Sequence, residues 1–418
     1  MLSNIFKTYF ESELIMLRLF PYFLIFSNFF TYAIADVAPG LMTIKLMAIV
    51  LAIISFLFLV VETPKVPPFV RCKMLIATIT VLFVTILYYF TGQVYSSYPS
   101  YMKNVYDGYF LTIIGQVFPI ILVAMVFAQM DVELDKAKKM APYIALLFTA
   151  VSIKTALNPS DITSGGYAID ENGMNYQNVS YMAAYASSLN FFYLLNFKRI
   201  NWGWLFRRKI TCLFMCVVIV LNLLTTLIAG GRGGMLTVIV QFVVFYYFFT
   251  KHNFEHVNYG KHFFVFVFVV VVIAAFVVSV ANSISIESSG FTRIIAFIYE
   301  GADAGRGDIR RQAFRSFAES PILGHGIGSS IFEVGTKGIH CHNYFLDALV
   351  DTGIIGACFF VFLIIYILKK AYKMANKNVT DYLWLIILLD GVIMAMFSGY
   401  YLSHLPIYWS LGFLVSKK

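Results

Sequence analysis

One arginine of this chain, Arg232, lies inside a long apolar stretch, LNLLTTLIAGGRGGMLTVIVQF, which runs from Leu221 to Phe242. Two glycines flank it on each side. A guanidinium presents a rigid fork of N–H donors that suits phosphate, and the free N–H groups at the start of a following helix favour an anion. Glycines such as Gly231 and Gly233 would let the backbone approach a ligand closely. We therefore expect this turn to contact a phosphate; the alternative is that Arg232 only reaches towards lipid headgroups.

A second group of arginines surrounds a helix predicted in GRGDIRRQAFRSFAESPILGHGIGSS. The helix should run from about Asp308 to Ser320, because Pro321 and Gly324 end it. Its buried face repeats every fourth residue and consists of Ile309, Ala313 and Phe317. The arginines are Arg306 before the helix, Arg310 in its first turn, and Arg311 with Arg315 on another face. Cations at a helix start are disfavoured, so we expect an anion here; the alternative is a solvated face with lipid contacts.

A third set of polar residues lies in HCHNYFLDALVDTGIIG, from His340 to Gly356. The polar residues that recur at every fourth position are Asn343, Asp347 and Asp351. Carboxylates within a membrane helix normally face a cavity, so we expect this stripe to line one, with His340 and His342 at its rim. Two histidines could also bind zinc, but the cysteine or carboxylate ligand at regular spacing is missing. The sequence therefore predicts a site without a metal.

The composition places these residues in a membrane protein. The chain of 418 residues is 60% hydrophobic and 13% charged, with a mean hydropathy of +0.78. Apolar runs recur that can each cross a hydrocarbon core of about 30 Å, and an all-α polytopic fold follows because lipid does not satisfy unpaired backbone. The twelve predicted spans are 15–35, 41–61, 74–92, 109–129, 140–157, 177–197, 211–229, 233–250, 262–281, 341–368, 382–398 and 401–416.

The predicted organisation has three parts. Spans one to nine occupy residues 1–281, a large hydrophilic loop occupies residues 282–340, and the last three spans occupy residues 341–418. With both termini in the cytoplasm, 21 of the 31 lysines and arginines fall in cytoplasmic segments and 8 in outer segments. This asymmetry predicts an inner-membrane protein whose large loop is periplasmic. The net charge of +9 is thus explained by topology, and we expect no nucleic-acid partner.

Together the three motifs resemble those of the O-antigen ligase and polymerase superfamily. GGRGG resembles its SRG-type motif, and GRGDIRRQAF…SPILGHGIGSS resembles the arginine-bearing part of its large loop. HCHNYFLDALVDTGIIG resembles its histidine–asparagine motif, and NGMNYQNVSYMAAYA is similar to its asparagine-bearing start of an earlier span. The chain departs from the pattern at Gly231, where serine is common, and at Arg310, where many relatives have an apolar or aromatic residue.

The resemblance implies a GT-C-like, inverting, metal-independent glycosyltransferase that acts at the periplasmic face. Its donor would be an oligosaccharide on undecaprenyl diphosphate, and its acceptor either the next lipid-linked repeat unit (a polymerase) or the lipid A core (a ligase). We favour the polymerase because the chain is rich in Phe, Ile, Tyr and Asn, like divergent polymerases. Further partners implied are membrane lipids, a chain-length regulator and a flippase. The alternative from another class is a transporter or flippase of lipid-linked sugars.

The resemblance and the chemistry together predict the roles of individual residues. The catalytic candidates are Arg232 and Arg306, which would stabilise the diphosphate leaving group, and His342, which would orient or deprotonate the acceptor hydroxyl or bind a phosphate oxygen. The predicted substrate-binding residues are Arg310, Arg311, Arg315, His340, Asn343, Gly231, Gly233 and Asp347. No cofactor is expected.

Overall fold

The computed structural model describes residues 134–157, 176–229, 231–252, 306–330, 340–378 and 380–416. The helices in this part of the chain are α1 (Leu134–Leu157), α2 (Tyr176–Leu195), α3 (Lys209–Ala229), α4 (Arg232–His252), α5 (Arg306–Glu319), α6 (Tyr344–Lys377), α7 (Tyr382–Phe397) and α8 (Leu405–Ser416), with a short 3-10 turn at Tyr401–Ser403. The described residues contain no strand, in agreement with the all-α prediction.

Three of the described helices have the length and apolar composition needed to cross a membrane. They correspond to Lys209–Leu227, Gly233–Lys251 and Tyr344–Lys377, and α7 is apolar but shorter. The seven predicted spans from 140–157 to 401–416, apart from 262–281, coincide with helices over most of their length. The five other spans and most of the loop 282–340 lie outside the described residues, so the count of twelve and the three-part organisation remain predictions.

Helix α2 lies at the centre of the described bundle, against α1, α3 and α4. Small residues fill much of its buried surface, among them Ala183, Ala184, Ala186, Ser187 and Ser188. Small side chains let helix backbones approach closely, which is how helices associate when lipid removes the hydrophobic drive between them. Helix α7 packs against α4, α6 and α8 and is likewise buried over most of its length.

Helix α6 is interrupted at Gly353, which adopts φ 63° and ψ −166° within an otherwise helical segment. The helix begins sharply because the side chain of Asn343 accepts the N–H groups of Phe345 and Leu346, both at 3.1 Å. This is the capping role that asparagine fills at a helix start. The first turns of α6, from Tyr344 to Thr352, are therefore a short separate segment that precedes the main length of the helix.

Contacts between helix ends show which of them lie at the same end of the bundle. At one end Lys138, at the start of α1, forms an ion pair of 2.7 Å with Asp381, at the start of α7. The Lys251 ammonium at the end of α4 bonds the side chain of Asn376 near the end of α6. These cations belong to segments that the sequence predicts to be cytoplasmic. The opposite end carries the three motifs.

Candidate functional site at one end of the bundle

The turn that carries Arg232 joins two helices, as predicted. Helix α3 ends at Ala229 and α4 begins at Arg232. The hydroxyl of Ser180 in α2 donates to the carbonyl of Gly231 at 3.0 Å or to that of Thr226 at 3.1 Å. Helix α2 therefore fixes the position of the turn.

The glycines of this turn make room for α2. A Cβ added at Gly233 would lie 1.7 Å from the Tyr181 hydroxyl oxygen, and one at Gly231 would lie 2.6 Å from the Ser180 Cβ. At Gly234 it would lie 2.7 Å from the Ser180 carbonyl oxygen. Close packing against α2 is therefore one reason that these positions require glycine, and the approach of a ligand to the backbone of this turn stays a prediction.

Two hydrogen bonds bring the other outer segments to the same end. Gln177, at the start of α2, bonds Ser398, just after α7, at 2.9 Å. The Asn343 side-chain amide donates to the carbonyl of Met396, at the end of α7, at 3.3 Å. Because α2 also holds the Arg232 turn, this turn and the histidine motif lie at one end of the bundle.

His340 and His342 form a compact pair before α6. The backbone N–H of His342 donates to Nδ1 of His340 at 3.0 Å, and the two ring centroids are 4.3 Å apart. His342 has φ 53°, a left-handed conformation that is uncommon outside glycine and that asparagine, aspartate and histidine adopt more readily than other residues. The tight turn between the two rings accounts for this conformation. Since Nδ1 of His340 accepts this bond, its neutral ring carries the proton on Nε2.

The imidazole of His342 is neutral at physiological pH. Burial, the neighbouring His340 and the positive charge of Arg306 together lower the pKa of His342 to about 3. Its Nδ1 is buried and has no hydrogen-bond partner among the described residues. The structure thus brings His342, His340 and Arg306 together, and a neutral imidazole keeps one of its ring nitrogens unprotonated.

Asp347 and Asp351 are both buried and hydrogen-bonded within the protein, and the cavity expected from their spacing stays a prediction. Asp347 is fully buried, and its Oδ1 accepts the N–H of Cys341 at 2.8 Å. Its Oδ2 lies 3.6 Å from Nδ1 of His340, too far for a hydrogen bond. The carboxylate therefore shapes the backbone that presents the two histidines. The third member of the stripe, Asn343, is the helix cap.

Asp351 fastens a glycine-rich segment that follows α5. Its carboxylate accepts the N–H groups of Gly328 and Ser330, both at 2.7 Å. It also accepts the hydroxyl of Ser329 at 3.2 Å and that of Tyr400. A buried carboxylate with several donors is well satisfied, so Asp351 acts as a latch on residues 324–330. In the sequence Asp351 belongs to a polar stripe, and these partners lie in segments that are distant from it in the chain.

The same segment fills the interruption of α6. The N–H groups of His325 and Gly326 donate to the carbonyls of Val350 at 2.9 Å and Asp351 at 2.8 Å, and the N–H of Ile354 donates to the carbonyl of Pro321 at 2.9 Å. These bonds satisfy backbone groups that the break would otherwise leave unpaired. At Gly324, with φ 71°, a Cβ would lie 2.5 Å from the Asp351 carbonyl, so this contact requires glycine.

Helix α5 packs on the first turns of α6 through the face predicted for it. Ala313 clusters with Cys341 and Val350, with Ile309 and Leu346 packed against them. Arg306, the first residue of α5, is partly buried, whereas Arg310, Arg311 and Arg315 are exposed. Arg311 forms an ion pair with Asp308 on this outer face. Arg306 therefore differs from the three other arginines: it is partly buried, and its positive charge contributes to the low pKa of His342.

Within the described ranges, no three His, Cys, Asp or Glu side chains are placed to hold a metal ion. The arrangement supplies cationic groups and a neutral imidazole. These groups can stabilise a phosphate and accept a proton.

A comparison with known proteins finds a family match over part of the chain. No curated protein matches the chain. Residues 217–361 match the family model described as O-antigen ligase, a stretch that includes the Arg232 turn, α5, both histidines and the latch at Asp351. This match supports the O-antigen ligase and polymerase superfamily, and a glycosyl-transferring membrane enzyme, without distinguishing polymerase from ligase.

Proposed function

We propose that this protein is a surface-polysaccharide polymerase that joins oligosaccharide repeat units carried on undecaprenyl diphosphate, at the periplasmic face of the inner membrane. The observation that carries the proposal is the grouping of Arg306 and the His340–His342 pair at the end of the bundle that also holds the Arg232 turn. A phosphate-binding cation beside a neutral base suits transfer from a diphosphate leaving group.

In the proposed reaction, a hydroxyl of the acceptor sugar attacks C1 of the donor sugar with inversion. The new C1–oxygen bond forms as the bond between C1 and the diphosphate oxygen breaks, and the diphosphate keeps the electron pair. Arg232 and Arg306 stabilise the charge that develops on it. Because diphosphate is a good leaving group, no general acid is needed. The proton of the acceptor hydroxyl passes to the unprotonated ring nitrogen of His342.

Donor binding would strengthen the base. A group whose pKa is about 3 is a weak base at neutral pH. Arg306 contributes to this low pKa, and a bound diphosphate would offset that positive charge. A nearby anion raises the pKa of an imidazole. Donor binding would therefore raise the pKa of His342, although burial, the largest cause of the low pKa, would remain.

Five of the other predicted residues have supporting roles in this proposal. His340 orients His342, Asn343 and Asp347 hold the backbone around the pair, and Gly231 and Gly233 fix the Arg232 turn against α2. A chain-length regulator and a flippase are proposed partners.

The ligase alternative differs only in the acceptor, and a gene deletion distinguishes the two. A strain without this protein should display surface glycans with a single repeat unit. Full-length polymer that is not attached to lipid A would identify a ligase instead. Loss of the surface glycan, with lipid-linked units retained on the cytoplasmic side, would indicate a flippase.

A further inference from the structure

The outward face of α5 and the turn that follows it combine cations with exposed apolar side chains. Phe314 is 54% exposed, and Ile322 and Leu323 in the turn are 61% and 73% exposed. Phe314 lies one helical turn from both Arg310 and Arg311. In water, a soluble loop would not be expected to expose large apolar groups beside a row of arginines.

This surface continues the lipid-facing side of α6. The carbonyl of Pro321 accepts the N–H of Ile354, and the backbone of Ile322 lies directly against Gly353. After this junction in the chain, the exposed apolar residues of α6 are Ile354, Ile355, Phe359, Phe362 and Ile365. The turn 321–323 therefore lies where the exposed apolar side of α6 begins.

We propose that α5 and the turn 321–323 form an interfacial anchor that binds anionic phospholipid. Ile322, Leu323 and Phe314 would enter the border of the acyl chains, and Arg310, Arg311 and Arg315 would contact headgroup phosphates. Exposed apolar side chains next to cationic ones bind a membrane surface in this manner. The proposal does not depend on glycosyl transfer, and it gives the three exposed arginines a partner other than the donor.

The anchor can be tested in nanodiscs made of synthetic lipids. A fluorophore is attached to single cysteines at Leu323 and Phe314, in a chain whose native cysteines are replaced. Phe362 on the exposed side of α6 is the control for lipid contact, and Glu319, an exposed charged residue of α5, is the control for solvent. Two kinds of nanodisc are compared. One contains a minority of brominated phosphatidylglycerol in unlabelled phosphatidylcholine, and the other contains the same minority of brominated phosphatidylcholine in unlabelled phosphatidylglycerol.

We expect brominated lipid to quench the fluorophore at Leu323 and Phe314, as at Phe362, and more than at Glu319. Brominated phosphatidylglycerol should quench more than brominated phosphatidylcholine at equal content. Each arginine near an anionic surface contributes about 1 kcal/mol, or about a fivefold preference. Replacing Arg310, Arg311 and Arg315 by alanine should remove the difference between the two lipids, whereas replacing them by lysine should retain it.

Two results would overturn the anchor. One is quenching at Leu323 by aqueous iodide but not by brominated lipid, which would place the turn in solvent. The other is lipid quenching that occurs only after a lipid-linked diphosphate is added, since the surface would then bind the donor and not the membrane.

Discussion

At the scale of single residues, the chemistry of the proposed site depends on His342. Its unusual backbone conformation offers a sharp test, because asparagine tolerates φ near 53° better than alanine does. His342→Asn should keep the fold and lose the base, lowering the transfer rate by about 100- to 10,000-fold. The measurement is glycan transfer by purified protein.

His342→Ala is the matched variant for that prediction. It removes the same base but leaves a residue that is strained at this φ, so it should also lower the melting temperature. If His342→Asn transfers glycan at nearly the normal rate, another group accepts the proton and the assignment of His342 is wrong.

At the scale of helices, the close packing of α2 against the Arg232 turn depends on the glycines of that turn. Gly233→Ala should lower the melting temperature, because the added Cβ overlaps Tyr181. Overpacking of this kind costs about 1–3 kcal/mol. Combining it with Tyr181→Ala removes the obstacle, so the pair should cost less than the sum of the single changes. Additive effects would show instead that Tyr181 is not the obstacle.

The latch at Asp351 gives a second prediction about elements. Asp351→Asn replaces an acceptor of backbone N–H groups by an amide that satisfies them less well. We expect residues 324–330 to loosen, so that a cysteine placed at Ser330, which is buried in the native protein, reacts faster with a thiol reagent. Tyr400→Phe, which removes one of the donors to Asp351, should have a smaller effect. An unchanged reaction rate would contradict the latch.

The sequence predicts the elements better than the contacts between them. Apolar length predicts α3, α4 and α6, and Pro321 predicts the end of α5 correctly. Gly233 packs against Tyr181, which lies far away in the chain. The partners of Asp351 lie in two separate segments. No local pattern encodes such long-range contacts, so the spacing of the carboxylates gave no indication of the latch at Asp351.

At the scale of the whole molecule, the orientation predicted from the cations can be tested on α5. A cysteine at Arg311, which is exposed, should react with a membrane-impermeant reagent in intact spheroplasts. A cysteine at Lys377, at the opposite end of α6, should react only after lysis. The reverse pattern would invert the topology and place the site in the cytoplasm.

The most direct test of the account is glycan transfer by the purified protein in nanodiscs, where no gradient exists, from an undecaprenyl-diphosphate-linked donor to a lipid-linked acceptor. We predict longer glycans, with one undecaprenyl diphosphate released for each new glycosidic bond. Arg232→Ala should lower this rate by about 100- to 1000-fold, with partial recovery in Arg232→Lys, which lacks the fork of donors. Normal turnover by folded Arg232→Ala would contradict the role of the arginine, and the absence of any new glycosidic bond with the native protein would contradict the proposed function itself.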